Sequence, residues 1–240
     1  MKKLHYDSCT STNDMLKREH GDLLAAVAEE QTAGRGQRGN RWYSETGRNL
    51  LFSVQTEPPC VQASEAFILS QAMALAIART LEERLPEREV RIKWPNDIYV
   101  AGRKVCGILI ENDLQGKRLV RSIIGCGINV NQTDFPDGLA APATSLALET
   151  GREEDRERLL DDVLTAFEVL YRRLCEGQCE DIRRDYHERL YLRGVKCRFE
   201  DAGGVFEGRI SRVEHDGHLI IEDAGGEARR YAFKEVKIKL

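Results

Sequence analysis

Residues 31–42 read QTAGRGQRGNRW, and Gly34, Gly36 and Gly39 within them have the G-x-G-x-x-G spacing of a dinucleotide-binding loop. Such a loop needs a helix directly after the glycines, because the helix N-terminus receives the pyrophosphate. The segment that follows, NRWYSETGRNLLFS, contains the helix-breaking Gly47 and leads into a strand-like run. No Gly-Lys-Ser/Thr follows either, as a Walker loop requires. The stretch therefore excludes a Rossmann-type fold and predicts a glycine-rich loop between two strands.

The two arginines of this loop, Arg35 and Arg38, indicate an anionic ligand. A guanidinium supplies planar positive charge for a phosphate or a carboxylate, and glycines let the backbone approach a ligand closely. A loop of this composition is expected to be mobile when empty and ordered when an anion binds. The alternative for this segment taken alone is a solvated surface loop.

The hydrophobic pattern around the loop predicts strands at 23–31 and 49–56, one on each side of it. Before the first of these strands, Ser11 or Thr12 can cap a short helix that continues to about His20. The glycine-rich loop is thus expected to connect two neighbouring elements of a sheet.

Further along the chain, helix and strand patterns follow one another in blocks. A helix capped by Ser64 is predicted at 64–85, and its apolar residues cover most of its circumference, as in a helix buried under a sheet. Three β-rich runs fill 89–131, and helical spacing returns at 152–192. These blocks predict an α+β fold, a mixed β-sheet with helices.

After residue 192 the pattern changes to four or five short strands separated by glycine-rich turns. This pattern predicts a small β-barrel of under fifty residues. The expected domains are therefore 1–192 and 193–240.

The composition describes an ordinary globular protein of 240 residues with 36 Lys and Arg, 40 Asp and Glu and a formal net charge of −4. A mildly acidic chain gets no general help in binding nucleic acid, so a polyanion site must be local. The first residues lack the apolar stretch of a signal peptide, and the apolar segment 66–81 is too short and too interrupted to span a bilayer. No membrane association is expected.

The seven cysteines are scattered and include no C-x-x-C pair. Cys175 and Cys179 share a helical face, but no histidine accompanies them, so a zinc site is not expected. Reduced thiols in a cytoplasmic protein are the predicted state.

A second polar cluster, Lys93-Trp94-Pro95-Asn96-Asp97, ends one of the β-rich runs. Asp97 could hold Mg²⁺ and Lys93 could neutralise phosphate, as nucleotidyl chemistry requires. Lys104 begins the next apolar strand, where it points into the sheet or at its mouth. The alternative for such a lysine is simple solvation. Residues 125–129, Gly-Cys-Gly-Ile-Asn, suit close approach of a ligand.

Five motifs, in this order and spacing, resemble those of the biotin–protein ligases: STND, QTAGRGQRG-x-x-W, KWPND, RKVCGILIE and GCGINVN. The resemblance covers residues 8–131 and is looser beyond them. It implies the mixed sheet of the class II synthetase-like catalytic domain, and the terminal β segment is similar to that family's SH3-like C-terminal domain.

The resemblance also implies a two-step reaction. Biotin's carboxylate attacks the α-phosphate of ATP, which gives biotinyl-5′-AMP and pyrophosphate. A lysine of a biotin carboxyl carrier domain then attacks the mixed anhydride and releases AMP. ATP and Mg²⁺ are the expected cosubstrate and metal, and no covalent enzyme intermediate is required.

Roles follow from the matching positions. The predicted biotin-binding residues are Ser11, Thr12, Asn13, Gln31, Arg35, Gly36, Gln37, Lys104 and Gly107. The predicted ATP-binding residues are Arg38, Trp42, Lys93, Asn96 and Asn129. Lys104 is expected to contact both biotin's carboxylate and the α-phosphate, and the predicted catalytic set is Lys104, Arg35 and Arg38. Asp97 is the predicted Mg²⁺ ligand.

This chain departs from the family pattern in its loop, where Gln37 and Asn40 stand at positions that are commonly arginine. We hypothesise that the adenylate leaks more easily from a loop with glutamine at the first of these positions. The chain also starts almost at its first catalytic motif, so no DNA-reading domain and no operator binding are expected. A homodimer through the sheet edge is compatible with the resemblance, but the sequence does not require it.

Two alternatives differ in what they need from these residues. A lipoate– or octanoate–protein ligase has the same fold, but its apolar substrates do not call for the polar Ser-Thr-Asn and Gln31 set. A non-enzymatic scaffold needs no lysine, arginine and aspartate that converge on glycines.

Overall fold

The computed structural model describes residues 1–39, 41–59, 61–139 and 141–239, and of Arg38 it describes the backbone only. A seven-stranded sheet contains β1 (Lys2–Cys9), β2 (Leu24–Gln31), β3 (Leu50–Thr56), β4 (Val90–Lys93), β5 (Asp97–Val100), β6 (Arg103–Gln115) and β7 (Arg118–Ile128). The strand order is β1-β2-β3-β7-β6-β5-β4. β1 pairs parallel to β2 and the other neighbours pair antiparallel, so the predicted mixed sheet is confirmed.

Five α-helices accompany the sheet in the described ranges: α1 (Thr12–Leu16), α2 (Phe67–Arg84), α3 (Leu146–Thr150), α4 (Arg156–Cys175) and α5 (Cys179–Glu188). Most of the circumference of α2 is buried, as predicted, because the sheet covers one side of it and α4 and α5 cover another. None of these helices has the length and hydropathy that a bilayer span needs.

The two faces of the sheet carry different helices. On β2, Ala25 and Val27 belong to the main core with α2, whereas Leu24 and Ala26 pack with Leu16 of α1. Side chains alternate between the faces of a strand. α1 therefore lies on the face opposite α2.

Two predicted helix ends are wrong. α1 ends at Leu16 instead of about His20, because the chain continues in tighter i→i−3 turns from Arg18. α2 begins at Phe67 instead of Ser64, because the preceding segment is tied to the β6–β7 turn by the Ala63 N–H, which donates to Lys117 O at 2.9 Å.

The C-terminal segment forms a second, antiparallel sheet of β8 (Lys196–Asp201), β9 (Gly204–Val213), β10 (Leu219–Asp223), β11 (Ala228–Tyr231) and β12 (Lys237–Lys239). This sheet is consistent with the expected SH3-like domain. Its order is β11-β10-β9-β8-β12, and the described pairings leave β11 and β12 as edges instead of closing a barrel. The boundary at residue 193 stays a prediction.

Specific contacts hold the two sheets together. The Trp94 indole N–H donates to Gly217 O at 2.8 Å. A Cβ at Gly217 would lie 2.9 Å from the Phe67 ring, so only glycine fits there. On the other side of the junction, the His187 ring binds α5 to β9, with Nδ1 2.7 Å from Arg183 O and Nε2 accepting from the Val213 N–H at 2.9 Å.

The His187 contact predicts a pH dependence of stability. Burial lowers the pKa of His187 below its ordinary 6.5, although a hydrogen bond from its ring to the Arg183 carbonyl opposes the shift. Below pH about 6.5 the unfolded chain therefore binds a proton that the folded chain does not, and the free energy of unfolding falls as the pH drops. Above pH about 7 this contribution is fully present.

Urea denaturation at pH 7.5 and 5.5 measures this contribution. Wild type should lose more stability between the two pH values than His187→Gln, which has no imidazole to titrate. The matched control His20→Gln changes an exposed histidine and should behave as wild type does. The same pH response in wild type and His187→Gln would refute the assignment.

Candidate functional site

The floor of the site is a patch of sheet without side chains. Gly107 of β6 and Gly127 of β7 are paired neighbours. A Cβ at Gly127 would lie 2.4 Å from the Trp42 ring, and one at Gly107 would lie 2.9 Å from it. A Cβ at Gly125 would lie 2.4 Å from Asn13 Oδ1. Only glycine lets these side chains lie directly on the backbone.

The glycine-rich loop forms the wall above this floor. It folds back as a hairpin. The Trp42 N–H donates to Gly34 O at 3.1 Å, and the backbones of Arg35 and Arg41 form an isolated antiparallel β-bridge. Its tip contains a 3₁₀ turn at Gln37–Gly39, and the chain then runs into β3. Between residue 41 and β3 the described residues form no α-helix, so the exclusion of a dinucleotide-binding loop is confirmed.

Between loop and floor lies a narrow cavity with a free volume of about 50 Å³, room for a few water molecules. All the predicted biotin-binding residues line it: Ser11, Thr12, Asn13, Gln31, Arg35, Gly36, Gln37, Lys104 and Gly107. Trp42 and Asn96 of the predicted ATP set line it too. Because the indole of Trp42 lies across the floor, a larger ligand must displace either this ring or the loop.

One end of the cavity is a buried polar chain. The Thr12 hydroxyl lies 2.6 Å from the Ser53 hydroxyl, which donates to Asn13 Oδ1 at 2.6 Å. Asn13 Nδ2 donates to Glu111 at 2.7 Å, and Gln31 Oε1 accepts from the Thr12 N–H at 2.7 Å. Thr12 and Asn13 are 2% exposed and Ser53 is 0% exposed.

Sequence reasoning missed two members of this chain. Ser53 is a hydroxyl in the middle of the apolar run LLFSVQT, and Glu111 closes the motif RKVCGILIE, where it received no role. Strand alternation puts Glu111 on the same face as Gly107. The sequence signal that could have identified each of them was a single polar residue in an otherwise apolar strand, on the face of the sheet that carries the cavity.

Lys104 enters the cavity from β6 with an internal counter-ion. Its Nζ lies 2.7 Å from Asp97 Oδ1 and 5.5 Å from the centre of the Trp42 ring. Its backbone is fixed on both sides, because its N–H donates to Pro142 O at 2.8 Å and its carbonyl accepts from the Thr144 N–H at 2.9 Å. The ammonium is therefore held at the cavity without being simply solvated.

Arg35 has a counter-ion of its own. Its guanidinium makes two hydrogen bonds of 2.7 Å to Asp14 on α1 and lies 3.5 Å from Glu111. The hydrogen bonds from Arg35 first, and then one from Lys17, lower the pKa of Asp14 to about 2, although burial opposes the shift. The structure thus brings Arg35 and Lys104 to one cavity, but each cation is neutralised by a different carboxylate.

Two residues of the predicted ATP set lie away from the cavity. Lys93 Nζ donates to the Tyr99 hydroxyl at 2.9 Å, and Asn129 Nδ2 donates to Thr144 O at 3.0 Å. Neither lines the cavity, and their contacts with ATP stay predictions. The Arg38 side chain lies outside the described residues.

The described part of the chain offers little support for a metal site or a nucleophilic thiol. It contains no cluster of three or more His, Cys, Asp or Glu that could hold a metal ion. Cys106 and Cys126 are buried free thiols near the floor, and burial raises the pKa of both. They are therefore protonated and suited to packing rather than nucleophilic attack.

Comparisons with known proteins agree with this geometry. The biotin/lipoate A/B protein ligase family matches residues 6–129. The bifunctional ligase/repressor BirA of Bacillus subtilis is 33% identical over 237 residues, which cover 95% of this chain and 72% of that protein. The biotin–acetyl-CoA-carboxylase ligase of Mycobacterium tuberculosis is 31% identical over 211 residues, which cover 85% of this chain and 75% of that protein. A solved structure of the biotin protein ligase from Aquifex aeolicus in complex with biotin and ATP is similar with a TM-score of 0.82 at 27% identity, covering 99% of this chain and 98% of that one.

The Arg35–Asp14 pair predicts how firmly the loop is held in the ligand-free protein. Asp14→Asn removes the counter-ion that joins the loop to α1, so the hairpin should open more often. Limited trypsin digestion should cut after Arg38 or Arg41 about two- to fivefold faster, the range expected for a partly exposed ion pair.

The matched control is Asp113→Asn, which removes a carboxylate from the Arg121 pair on the β6–β7 hairpin. It should leave cleavage in the loop unchanged. If Asp14→Asn and wild type are cut at the same rate, the pair does not hold the loop.

Proposed function

This chain belongs to the biotin/lipoate A/B protein ligase family, and we propose that it is an ATP-dependent biotin–protein ligase. It activates biotin to biotinyl-5′-AMP with release of pyrophosphate and transfers biotin to a lysine of a biotin carboxyl carrier domain. One observation carries this proposal: a single cavity joins buried, neutral hydrogen-bonding groups to Lys104. These are the two chemistries that a ureido acid and its adenylation need.

The neutral end of the cavity favours biotin over lipoate or octanoate. A ureido ring offers two N–H donors and a carbonyl acceptor, which Thr12, Asn13 and Gln31 can satisfy. A dithiolane or an alkyl chain would leave the remaining hydrogen-bonding capacity of these buried groups unsatisfied, which costs about 1–3 kcal/mol for each group so affected. A site built this way rejects analogues that lack the partner groups.

At the other end, Lys104 would exchange its internal counter-ion for those of the substrates. Biotin's carboxylate and the α-phosphate are both anions and repel each other as they approach. A fixed ammonium between them offsets this repulsion and stabilises the charge that develops in the transition state. Arg35 and Arg38 would add positive charge from the loop. When biotin displaces Trp42 from the floor, its indole becomes available to stack on adenine, and Asn96 and Asn129 would offer polar contacts.

Magnesium fits as a metal that arrives with ATP. Mg²⁺ commonly keeps several waters and takes one or two protein carboxylates besides phosphate oxygens. Asp97 does not line the cavity, but it contacts Lys104, which does, and its carboxylate would become available once Lys104 turns to the substrates. Lys93 would serve the phosphates. The metal would neutralise phosphate charge.

In the transfer step, the acceptor amine attacks the acyl carbon, the bond to the phosphate oxygen breaks, and AMP leaves. A lysine amine is mostly protonated at neutral pH, so a group must take its proton, and Asp97 is a candidate. We further propose that the enzyme works in the cytoplasm, where ATP is at hand, and that it can dimerise through an edge of the seven-stranded sheet.

Incubation with biotin, MgATP and a biotin carboxyl carrier domain, followed by intact-mass measurement, tests the function. The carrier should gain one biotinyl group. Lys104→Ala should slow adenylate formation by about 100-fold or more, because it removes the fixed charge at the reacting atoms. Its thermal unfolding should stay close to that of wild type.

Lys117→Ala is the matched control, since this exposed lysine lies in the β6–β7 turn. It should label the carrier at the wild-type rate. Pyrophosphate release with lipoate or octanoate but not with biotin would favour the other branch of the family. The absence of activity with every acid in folded protein would refute the proposal.

Gln37 predicts weak retention of the adenylate. It lines the cavity, and its Oε1 is buried without a hydrogen-bond partner among the described residues. Gln37→Arg adds a cation beside the adenylate and should reduce the labelling of a bystander protein by several-fold, in the range of a charge-assisted hydrogen bond. Gln115→Arg adds the same charge at the exposed end of β6 as a control. Equal bystander labelling by wild type and Gln37→Arg would contradict the prediction.

A further inference from the structure

The buried chain of Thr12, Ser53, Asn13 and Glu111 has a defined direction. Glu111 is a carboxylate and carries no proton, so the Asn13 group that faces it at 2.7 Å must be the Nδ2 amide. Asn13 Oδ1 therefore faces Ser53, which must donate its proton to that oxygen at 2.6 Å. The orientation of one amide thus follows from the charge of its neighbour.

The same reasoning reaches Thr12. A serine hydroxyl has one proton, and Ser53 has given it to Asn13. In the 2.6 Å contact between the two hydroxyls, Thr12 must consequently be the donor. Gln31 Oε1 lies 3.2 Å from the same Thr12 hydroxyl and accepts from the Thr12 N–H. With its only proton directed to Ser53, Thr12 Oγ1 is left with its lone pairs beside a second acceptor.

Glu111 is held in its ionised form by the cations around it. Lys17 Nζ lies 2.8 Å from one carboxylate oxygen, and Arg35 lies 3.5 Å from the other. Burial raises the pKa of Glu111, but the hydrogen bonds from Lys17 and Asn13 outweigh it, and the pKa lies below its usual range. The carboxylate is therefore an acceptor at neutral pH.

We propose that Glu111 is a specificity-determining residue that acts through this chain: its carboxylate fixes the direction of Thr12→Ser53→Asn13→Glu111, so that the cavity presents acceptors to a ligand with N–H donors. The inference rests on the proposed function, because the ureido ring of biotin is the ligand with such donors. In this proposal Glu111 does not touch the ligand. It determines whether Thr12, Ser53 and Asn13 turn their acceptors or their donors toward the ligand.

An amide at this position would remove the constraint. The side chain of Glu111→Gln can donate to Asn13 Oδ1, in which case Asn13 donates to Ser53, Ser53 to Thr12, and Thr12 to Gln31 Oε1 at 3.2 Å. Thr12 Oγ1 would then accept from Ser53, and Gln31 Oε1 would accept from Thr12, so both oxygens would have fewer lone pairs free for a ureido N–H. Both directions satisfy the chain itself, so the substitution should change recognition more than stability.

The test compares two ligands in biotin-dependent ATP–pyrophosphate exchange: biotin, and a biotin analogue methylated on a ureido nitrogen, which lacks one N–H donor. With Glu111→Gln, the KM for biotin should rise about tenfold, the effect of losing a hydrogen bond with charged character, while kcat stays within about twofold. The preference for biotin over the analogue, as a ratio of kcat/KM, should fall by a similar factor. Asp113→Asn makes the same kind of change two residues along β6 and should leave the preference unchanged.

Ser53→Ala provides a second variant, since it interrupts the chain between Thr12 and Asn13 and should also reduce the preference. A general loosening of the site would weaken biotin and the analogue equally, and that result, or an unchanged preference in both variants, overturns the inference. An absence of exchange in wild type would instead refute the proposed function. The two failures are thus distinguishable.

Discussion

The candidate site depends on the pairing of Gly107 with Gly127 across two neighbouring strands. Every other residue type would place a Cβ within 3 Å of the Trp42 ring, closer than atoms can pack. The pairing opens a shallow space on a sheet face that would otherwise be filled, and the loop hairpin can lie over it. β6 carries both Gly107 and Lys104, so the same strand supplies the floor and the charge. The position of Lys104 relative to the glycine floor is therefore set by the register of the sheet.

The second organising feature is that two cations of the site, Arg35 and Lys104, are paired with carboxylates of the protein before any ligand binds. Arg35 is paired with Asp14 on α1, and Lys104 is paired with Asp97 across the β5–β6 hairpin. A cation held by an internal counter-ion keeps its orientation without ligand and does not have to be desolvated alone. Under the proposed function, binding becomes an exchange of anions, in which the substrate has to compete with the protein's own carboxylates. Such a competition would favour ligands that bring a carboxylate and a phosphate together.

Much of this could be predicted from the sequence because it is local. The loop composition, the rejection of a Rossmann fold, the strands on either side and the set of residues around the cavity all followed from short motifs, and the structure brings the predicted biotin-binding residues to one place. The ends of α1 and α2 could not be predicted in the same way. The start of α2 depends on Ala63 bonding to Lys117, a contact between residues far apart in the chain.

The hydrogen-bond and ion-pair partners of the site residues could not be predicted from the sequence either. Ser53, Glu111 and Asp14 contribute through contacts that strand pairing and α1 create, and Lys93 is turned toward Tyr99 instead of the cavity. A motif identifies the residues that meet a ligand, whereas the residues that orient them are recognised only when the faces of the sheet are known.

The most direct test of the account is a crystal structure of the wild-type protein with biotin and a non-hydrolysable ATP analogue. The account predicts biotin on the glycine floor, the Trp42 indole displaced from Gly107 and Gly127, and Lys104 Nζ within hydrogen-bond distance of both biotin's carboxylate and the α-phosphate. Biotin bound elsewhere while Trp42 still covers the two glycines, or Lys104 paired with Asp97 alone in the complex, would contradict it.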